Sequence, residues 1–176
     1  MNRKAILYIA ASLDGYIAKP GDNLDFLQLV EMPREDYGYS QFNKQIDTII
    51  LGKRTYDWVM EQVGEFPHQG KETYVLTRQK RDPIGTVTFF SGDLAELIST
   101  LKSKSGKRIF VDGGAQTVHR FLKDGLLDEI IISFIPILLG EGIRLFKEGF
   151  PEQNLTLIES KNYPSGLIQV HYQIKK

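Results

Sequence analysis

Short runs of apolar and often β-branched residues alternate along the chain with segments in which apolar residues recur at helical spacing. This alternation is typical of βαβ units built around a largely parallel sheet. The apolar runs predict strands over residues 5–11, 48–51, 72–76, 87–90, 108–111, 129–134, 155–160 and 167–174. The helical spacing predicts helices over residues 39–45, 55–63, 94–103 and 115–124.

Three local signals sharpen the ends of these elements. Asp93 precedes the third helix and is placed to cap its N-terminus, and Gly125 stands where the fourth helix would stop. The turn-rich residues 162–166 separate the last two strands, which predicts a terminal antiparallel hairpin. We therefore expect an α/β fold with a mostly parallel central sheet, helices on both faces and an antiparallel hairpin at the C-terminus.

Composition limits the classes of protein to which the chain can belong. Its 176 residues, 41% of them hydrophobic, suit one domain over residues 1–176 with a sizeable core. Lys and Arg number 22, as do Asp and Glu, so the formal charge is 22 − 22 = 0. A neutral chain has no net field to attract nucleic acid or an anionic membrane, and we expect neither as a partner. The absence of cysteine excludes disulfides, thiolate metal sites and cysteine nucleophiles.

The first candidate site follows the second predicted strand. That strand ends at Gly52, and Lys53, Arg54 and Thr55 then open a helix. The free N–H groups and partial positive charge of a helix N-terminus bind phosphate readily, and glycine lets a ligand approach the backbone. The alternative is a solvated helix start at which Thr55 is only a cap.

Two further strand ends carry related signals. Gly113 and Gly114 lie between a buried strand and a helix, which indicates special backbone geometry, a ligand packed against the main chain, or a plain turn. Thr77 and Arg78 leave the end of another strand, where a hydroxyl and a guanidinium suit the 2′-phosphate that distinguishes NADP from NAD. The alternative for that pair is a charged surface loop. Together the three strand ends predict one extended, polyanionic ligand.

With these motifs the chain resembles the dihydrofolate reductase superfamily, and within it the bacterial branch related to the reductase domain of riboflavin biosynthesis. The resemblance covers about the whole chain and is carried, in family order, by residues 9–18, 51–56, 75–78, 110–115 and 135–146. It implies a dihydrofolate-reductase-like three-layer fold and NADPH as the hydride donor.

The resemblance also implies where NADPH would lie. Main-chain groups of Ala10 and Ile17 would hold the nicotinamide carboxamide, and a cis peptide bond would join Gly113 to Gly114. The residues implied to bind the rest of the cofactor are Gly52, Lys53, Arg54 and Thr55 on the phosphate side, Leu76, Thr77 and Arg78 by the adenosine ribose, and Gly113, Gly114, Ala115, Gln116 and Thr117 around the pyrophosphate.

Reduction of a C=N or C=O bond also needs a proton. In dihydrofolate reductases a carboxylate starts the helix before the glycine-containing strand end, and Asp36 occupies that position by spacing (52 − 36 = 16). Glu35 is its rival, and the alternative for both is charge complementarity at a helix start. Asp14, which follows the first strand, is expected either to stabilise a turn with Gly15 or to gate the pocket.

The resemblance therefore implies an oxidoreductase, namely an NADPH-dependent reductase of a small heterocyclic substrate. That substrate would be a pterin or folate, or a pyrimidine like 5-amino-6-(5-phosphoribosylamino)uracil. Neither the Trp-Asn-Leu-Pro segment of folate enzymes nor the Asp-Pro-x-Leu segment of riboflavin reductases is present, so the substrate stays open. The alternative function is an NADP(H)-binding sensor or scaffold without turnover. We further expect a cytoplasmic protein and, by family habit, a homodimer.

Overall fold

A computed structural model describes residues 3–175 of the chain, and its centre is an eight-stranded sheet. The strands are β1 (Ala5–Ser12), β2 (Tyr16–Ala18), β3 (Ile46–Gly52), β4 (Glu72–Leu76), β5 (Val87–Phe90), β6 (Arg108–Gly113), β7 (Glu129–Ile135), β8 (Ile143–Arg144), β9 (Leu155–Asn162) and β10 (Ile168–Ile174). The helices are α1 (Tyr39–Lys44), α2 (Lys53–Val63), α3 (Leu94–Ser103) and α4 (Ala115–Lys123). Short 3₁₀ turns span Pro20–Asp22 and Asp25–Val30.

The strand order of the large sheet is β5-β4-β3-β6-β1-β7-β10-β9. All neighbouring pairs from β5 to β7 are parallel, whereas β10 runs antiparallel to both β7 and β9. The carboxyl ends of β4, β3, β6 and β1 consequently lie side by side along one edge of the sheet. In open parallel sheets this edge is where ligands bind.

The central strands are buried on both faces, which explains why their sequences are continuous apolar runs rather than alternating ones. Ile50 of β3, for example, is fully inaccessible to solvent. One face of the sheet packs against Ile98 of α3 and Phe121 of α4, and the other packs against Phe42 of α1 and Tyr56 of α2. The predicted three layers, with a C-terminal antiparallel hairpin, are confirmed.

The predicted helices and strands are all present, and their ends differ from the prediction by at most two residues. Asp93 caps α3 as predicted, because its carboxylate accepts a hydrogen bond of 2.9 Å from the Glu96 amide. The interpretation of Thr55 as a helix cap is wrong, since α2 begins two residues earlier, at Lys53, and Gly52 is its N-cap.

A small second sheet, which the hydrophobic pattern does not predict, pairs β2 with β8 in antiparallel fashion. It joins the loop after β1 to the segment after β7, so two distant parts of the chain meet beside the carboxyl end of β1. Gly142 permits this approach, because a Cβ atom there would collide with the Ala18 carbonyl oxygen.

Candidate functional site

The glycines predicted at the strand ends form one close-packed cradle with the starts of α2 and α4. A Cβ atom added to Gly52 at the end of β3 would lie 2.9 Å from the Thr117 hydroxyl of α4. The Gly114 amide donates a hydrogen bond of 2.9 Å to the Thr55 hydroxyl of α2. The N-termini of the two helices are thereby held together, and the Thr55 hydroxyl keeps its own proton available for a further acceptor.

The peptide bond between Gly113 and Gly114 is cis, as the resemblance implied. Gly113 also has a φ of 94°, a left-handed conformation that glycine adopts without a steric penalty. The special backbone geometry that the sequence indicated for this pair is therefore present, and a ligand packed against the main chain stays a prediction.

Two of the three predicted cations at this edge already have acidic partners. The Lys53 ammonium pairs with Asp57 one turn further along α2. The Arg54 guanidinium donates to both carboxylate oxygens of Asp22, at 2.8 and 2.7 Å. These four side chains line a hollow of about 370 Å³ at the start of α2.

Arg78 differs from those two cations. It is exposed just beyond the carboxyl end of β4, and its side chain forms no ion pair or hydrogen bond within residues 3–175. The hydroxyl of its neighbour Thr77 accepts a hydrogen bond of 3.1 Å from the Gln79 amide. Of the three predicted cations, Arg78 is therefore the one that can bind an anionic ligand without first breaking an ion pair within residues 3–175.

Asp112, directly before the two glycines, is a candidate site residue that the sequence motifs did not single out. In the pairing of β6 with β3, Ile50 faces Val111 and Leu51 faces Gly113, so Asp112 is the extra residue of a β-bulge. Bulges of this kind re-aim a side chain and are common beside active sites. Within residues 3–175 no group donates a hydrogen bond to its carboxyl.

The environment of Asp112 favours the protonated acid. Desolvation by burial raises the pKa of Asp112 to about 7 from an ordinary value of 3.8, although part of the residue stays accessible to solvent. Its charge contributes, after burial, to raising the pKa of Tyr39 to about 12. An accessible carboxyl group that holds its proton near neutral pH can serve as a general acid. In the sequence, Asp112 can be recognised only as an acid between a buried strand and the Gly113-Gly114 pair. The sequence does not show that the Asp112 side chain is buried.

A cleft of about 730 Å³ lies next to this edge of the sheet. Its floor includes Tyr8 and Ala10 of β1, and its rim includes residues of the segment before α1. The Tyr39 ring packs edge-on against Tyr8, with 5.7 Å between the ring centroids. Tyr39, whose pKa is raised in part by the charge of Asp112, therefore contacts a residue at the floor of the cleft. Ala10 belongs both to the cleft lining and to the predicted nicotinamide site.

Asp36 lines the same cleft, but its carboxylate is engaged at the start of α1. It accepts hydrogen bonds of 2.9 Å from the amides of Gly38 and Ser40. Hydrogen bonding, first from the Ser40 side chain, lowers the pKa of Asp36. This geometry agrees with the alternative of a helix-start carboxylate, and the proton-donating role of Asp36 stays a prediction. Glu35 also lines the cleft.

Asp14 fixes the loop between β1 and β2. Its carboxylate accepts hydrogen bonds from the Ser12 hydroxyl at 2.6 Å and the Gly140 amide at 2.7 Å. The bond from Ser12 is the main cause that lowers the pKa of Asp14 to about 2. The turn predicted with Gly15 is present, since the Gly15 amide donates to the Ser12 carbonyl. Asp14 thus ties this loop to the segment after β7.

The structure brings the other predicted cofactor residues to the same edge. Ala10 is near the end of β1, Ile17 lies in β2, and Leu76 ends β4 beside Gly52. In the first turn of α4, the buried residues are Ala115 and Thr117, and the exposed one is Gln116.

Two classes of feature are absent from the part of the chain that the structure describes, residues 3–175. It holds no group of three or more potential metal-ligating side chains. None of its helices combines the length and the apolar character that crossing a membrane requires.

Comparisons with known proteins agree with this architecture. The family model for the RibD C-terminal domain matches residues 3–169. The uncharacterized protein YwjB of Bacillus subtilis (strain 168) is 40% identical over 173 residues, which cover 98% of each protein.

Two solved structures resemble the fold. A protein of Shewanella sp. PV-4 assigned provisionally to riboflavin biosynthesis superposes with a TM-score of 0.89 and 33% identity over the whole of both chains. The diaminohydroxyphosphoribosylaminopyrimidine deaminase/5-amino-6-(5-phosphoribosylamino)uracil reductase of Thermotoga maritima superposes with a TM-score of 0.75 and 12% identity, over 99% of this chain and 57% of that one. The second likeness is one of fold.

Proposed function

The chain belongs to the RibD C-terminal domain family, and on that premise we propose that it is a reductase that uses NADPH to reduce a small heterocycle. The family supports a reductase of the riboflavin-pathway type. NADPH and the heterocycle are the finer part of the proposal, and they rest on the geometry of the strand ends and the cleft.

The cradle fits a dinucleotide phosphate. Its glycines let the strand ends and two helix N-termini approach one another, since a Cβ at Gly52 would lie only 2.9 Å from the Thr117 hydroxyl. The donors gathered there are helix N–H groups, the Thr55 hydroxyl and the Arg78 guanidinium, all of which suit anionic oxygens. Gly113 and Gly114 would hold the pyrophosphate, and Thr77 and Arg78 would hold the adenosine ribose and its 2′-phosphate.

Bound NADPH would supply the hydride for the reduction of a C=N or C=O bond. The protein must provide the accompanying proton and a position for the substrate. We assign the proton to Asp112, because burial keeps its carboxyl protonated up to about pH 7. Asp36 remains the alternative donor, although its hydrogen bonds favour the ionised form.

The cleft beside Ala10 is the proposed substrate site. Its volume of about 730 Å³ falls in the range typical of small-molecule sites. Tyr8 and Tyr37 line it, and their rings offer flat apolar surfaces to a pyrimidine or pterin. Asp112 lies on β6, the strand that pairs with β1, and β1 supplies Tyr8 and Ala10 to the cleft.

The observation that carries the proposal is a meeting of features at one sheet edge beside a cleft. They are a glycine cradle, an arginine without a partner in residues 3–175, and an acid with a raised pKa. A sensor or scaffold that binds NADP(H) needs the first two of these features. A sensor or scaffold does not need an acid with a raised pKa, so the protonated Asp112 favours an enzyme.

The proposal is tested by incubating the purified chain with NADPH and a panel of aminopyrimidines, pterins and folates. We expect NADPH oxidation, followed by its absorbance, that depends on one class of heterocycle and is lost in Asp112→Asn. NADPH binding without oxidation under the whole panel would instead favour the sensor. Absence of both binding and oxidation would contradict the proposal altogether.

A further inference from the structure

The charges around the cleft restrict the kind of heterocycle that it can bind. This inference rests on the proposed function, because it concerns the substrate side of the same site. Three carboxylates, those of Glu31, Glu35 and Asp36, line the cleft. None of its lining residues, all of which fall within residues 3–175, is basic.

One cation on the same segment, Arg34, offsets these three carboxylates only in part. Arg34 is exposed between Pro33 and Glu35 in a left-handed backbone conformation, with a φ of 65°, and it does not line the cleft. The charge of Lys161 acts to lower the pKa of Tyr163, but the Lys161 ammonium is paired with Glu159 at 3.1 Å.

Two of the three carboxylates are held in place. The Asp36 carboxylate accepts hydrogen bonds from the Gly38 and Ser40 amides, and Glu35 accepts one of 2.7 Å from the Tyr37 amide. These bonds fix the negative charges on the segment that borders the cleft.

The negative field extends to the floor of the cleft. Burial is the main cause that raises the pKa of Tyr8 to about 12, and the charges of Asp36 and Glu35 add to the effect. A cleft lined by charges of one sign concentrates ligands of the opposite sign and repels those of the same sign.

The two halves of the site differ in the charged groups that they offer to a ligand. At the cofactor edge Lys53 and Arg54 are paired with Asp57 and Asp22, and Arg78 has no ion-pair partner within residues 3–175. The charged side chains that line the substrate cleft are all carboxylates. A phosphorylated substrate would bring a dianion to a cleft whose lining contains three carboxylates and no cation.

We propose that the cleft binds a heterocycle that carries no phosphate and is uncharged or positively charged. A phosphoribosylated pyrimidine, and a folate with its anionic glutamate tail, are disfavoured by the same carboxylates. The reaction that precedes this one must therefore yield a heterocycle without a phosphate. If the precursor carries a phosphate, a phosphatase-type reaction must remove it first.

The test compares two probes that differ only in the phosphate: 5-amino-6-(ribosylamino)uracil and its 5′-phosphate. Dissociation constants are measured by calorimetry with the full chain in the presence of NADP, and NADPH oxidation is followed separately. We expect the phosphate-free probe to bind at least about tenfold more tightly, which corresponds to about 1.4 kcal/mol.

Charge reversal at one rim residue sharpens the comparison. The Glu31 side chain makes no hydrogen bond or ion pair within residues 3–175, so Glu31→Lys changes the field without breaking a contact. We expect Glu31→Lys to reduce the preference for the phosphate-free probe by about tenfold. The matched control is Glu152→Lys, an equal charge change at an exposed position before β9, which should leave the preference unchanged.

Tighter binding of the phosphorylated probe would overturn the inference, and so would a preference that Glu31→Lys does not alter or a failure of both probes to bind. In each case, NADPH oxidation with another heterocycle would leave the proposed function standing. Conversely, a binding preference with no oxidation of NADPH by any heterocycle would support the inference and contradict the proposed reductase.

Discussion

At the scale of single residues, Asp112 carries most of the proposed chemistry. A bulge in β6 gives it no partner on β3, burial favours its neutral form, and the next two residues belong to the glycine cradle. The raised pKa distinguishes it from Asp36, whose pKa is lowered by hydrogen bonds at the start of α1. Just below neutral pH one carboxyl group is thus mostly protonated and the other ionised, which is a common arrangement in acid–base catalysis.

We predict that Asp112→Asn lowers kcat by about a hundredfold or more, because general acid catalysis contributes roughly that factor. In the wild-type protein the rate should fall as the pH rises through about 7, where Asp112 loses its proton. The variant should lack this fall. The matched comparison is Asp36→Asn: if that substitution removes the fall instead, the proton route belongs to Asp36.

The same pKa also determines how stability depends on pH. The folded protein binds more protons than the unfolded chain between the ordinary pKa of 3.8 and the raised value of about 7. The contribution of Asp112 to the free energy of unfolding is therefore fully present below about 3.8 and is lost as the pH rises through about 7. Above that pH, Asp112→Asn should be more stable than the wild type by about 1 to 3 kcal/mol, as measured by denaturant unfolding.

The cradle could be predicted from single residues, but its acid could not. Gly52, Gly113 and Gly114 can be recognised because glycine at a strand end indicates a few special geometries. The importance of Asp112 depends on burial and on a change of register with β3, and neither is a property of the local sequence. The same reasoning explains Thr55, whose hydroxyl serves a glycine amide 59 residues away rather than its own helix.

At the scale of elements, periodicity predicted every strand of the large sheet and every α-helix of residues 3–175, because each buries a regular apolar face or run. It missed β2 and β8, which have three and two residues and are too short to have a period. Their pairing is supported by contacts such as that of the Asp14 carboxylate with the Gly140 amide, 126 positions away. Contacts of that range cannot be read from a hydrophobic pattern.

The terminal hairpin supports the expected homodimer. All eight residues of β9 are exposed at the edge of the sheet, among them the apolar side chains of Leu155, Leu157 and Ile158. An exposed apolar edge strand is a site at which another chain can add. We propose that a second copy of the chain covers this hairpin.

The prediction for this element is a dimer in light scattering that Leu157→Lys converts to a monomer. A charge there would have to be buried between copies, which opposes association. Val63→Lys, which alters another exposed apolar residue at the end of α2, should leave the dimer intact. A wild-type monomer would contradict the proposed interface.

At the scale of the whole molecule, a formal charge of zero is compatible with local differences in charge around the site. Arg78 lies beyond the carboxyl end of β4 with no ion-pair partner in residues 3–175, and three carboxylates line the neighbouring cleft. The fold brings the strand ends and the cleft together because the strand order places β3, β6 and β1 side by side although they are far apart in the chain. We propose that this neutral protein binds a polyanionic cofactor at the strand ends and disfavours an anionic substrate in the cleft.

The central claim, that this sheet edge binds NADPH, is tested most directly by the ratio of the dissociation constants for NADH and NADPH in the wild type and in Arg78→Ala. Arg78 has no partner to leave within residues 3–175, and a hydrogen bond to a charged group contributes about 1.5 to 3 kcal/mol. We predict that the wild type prefers NADPH and that Arg78→Ala reduces this preference by about tenfold or more. Arg81→Ala in the same loop, which removes a guanidinium stacked 5.6 Å from the Phe89 ring, should leave the ratio unchanged. Equal affinity for both cofactors in the wild type, or an unchanged ratio in Arg78→Ala, would contradict the account.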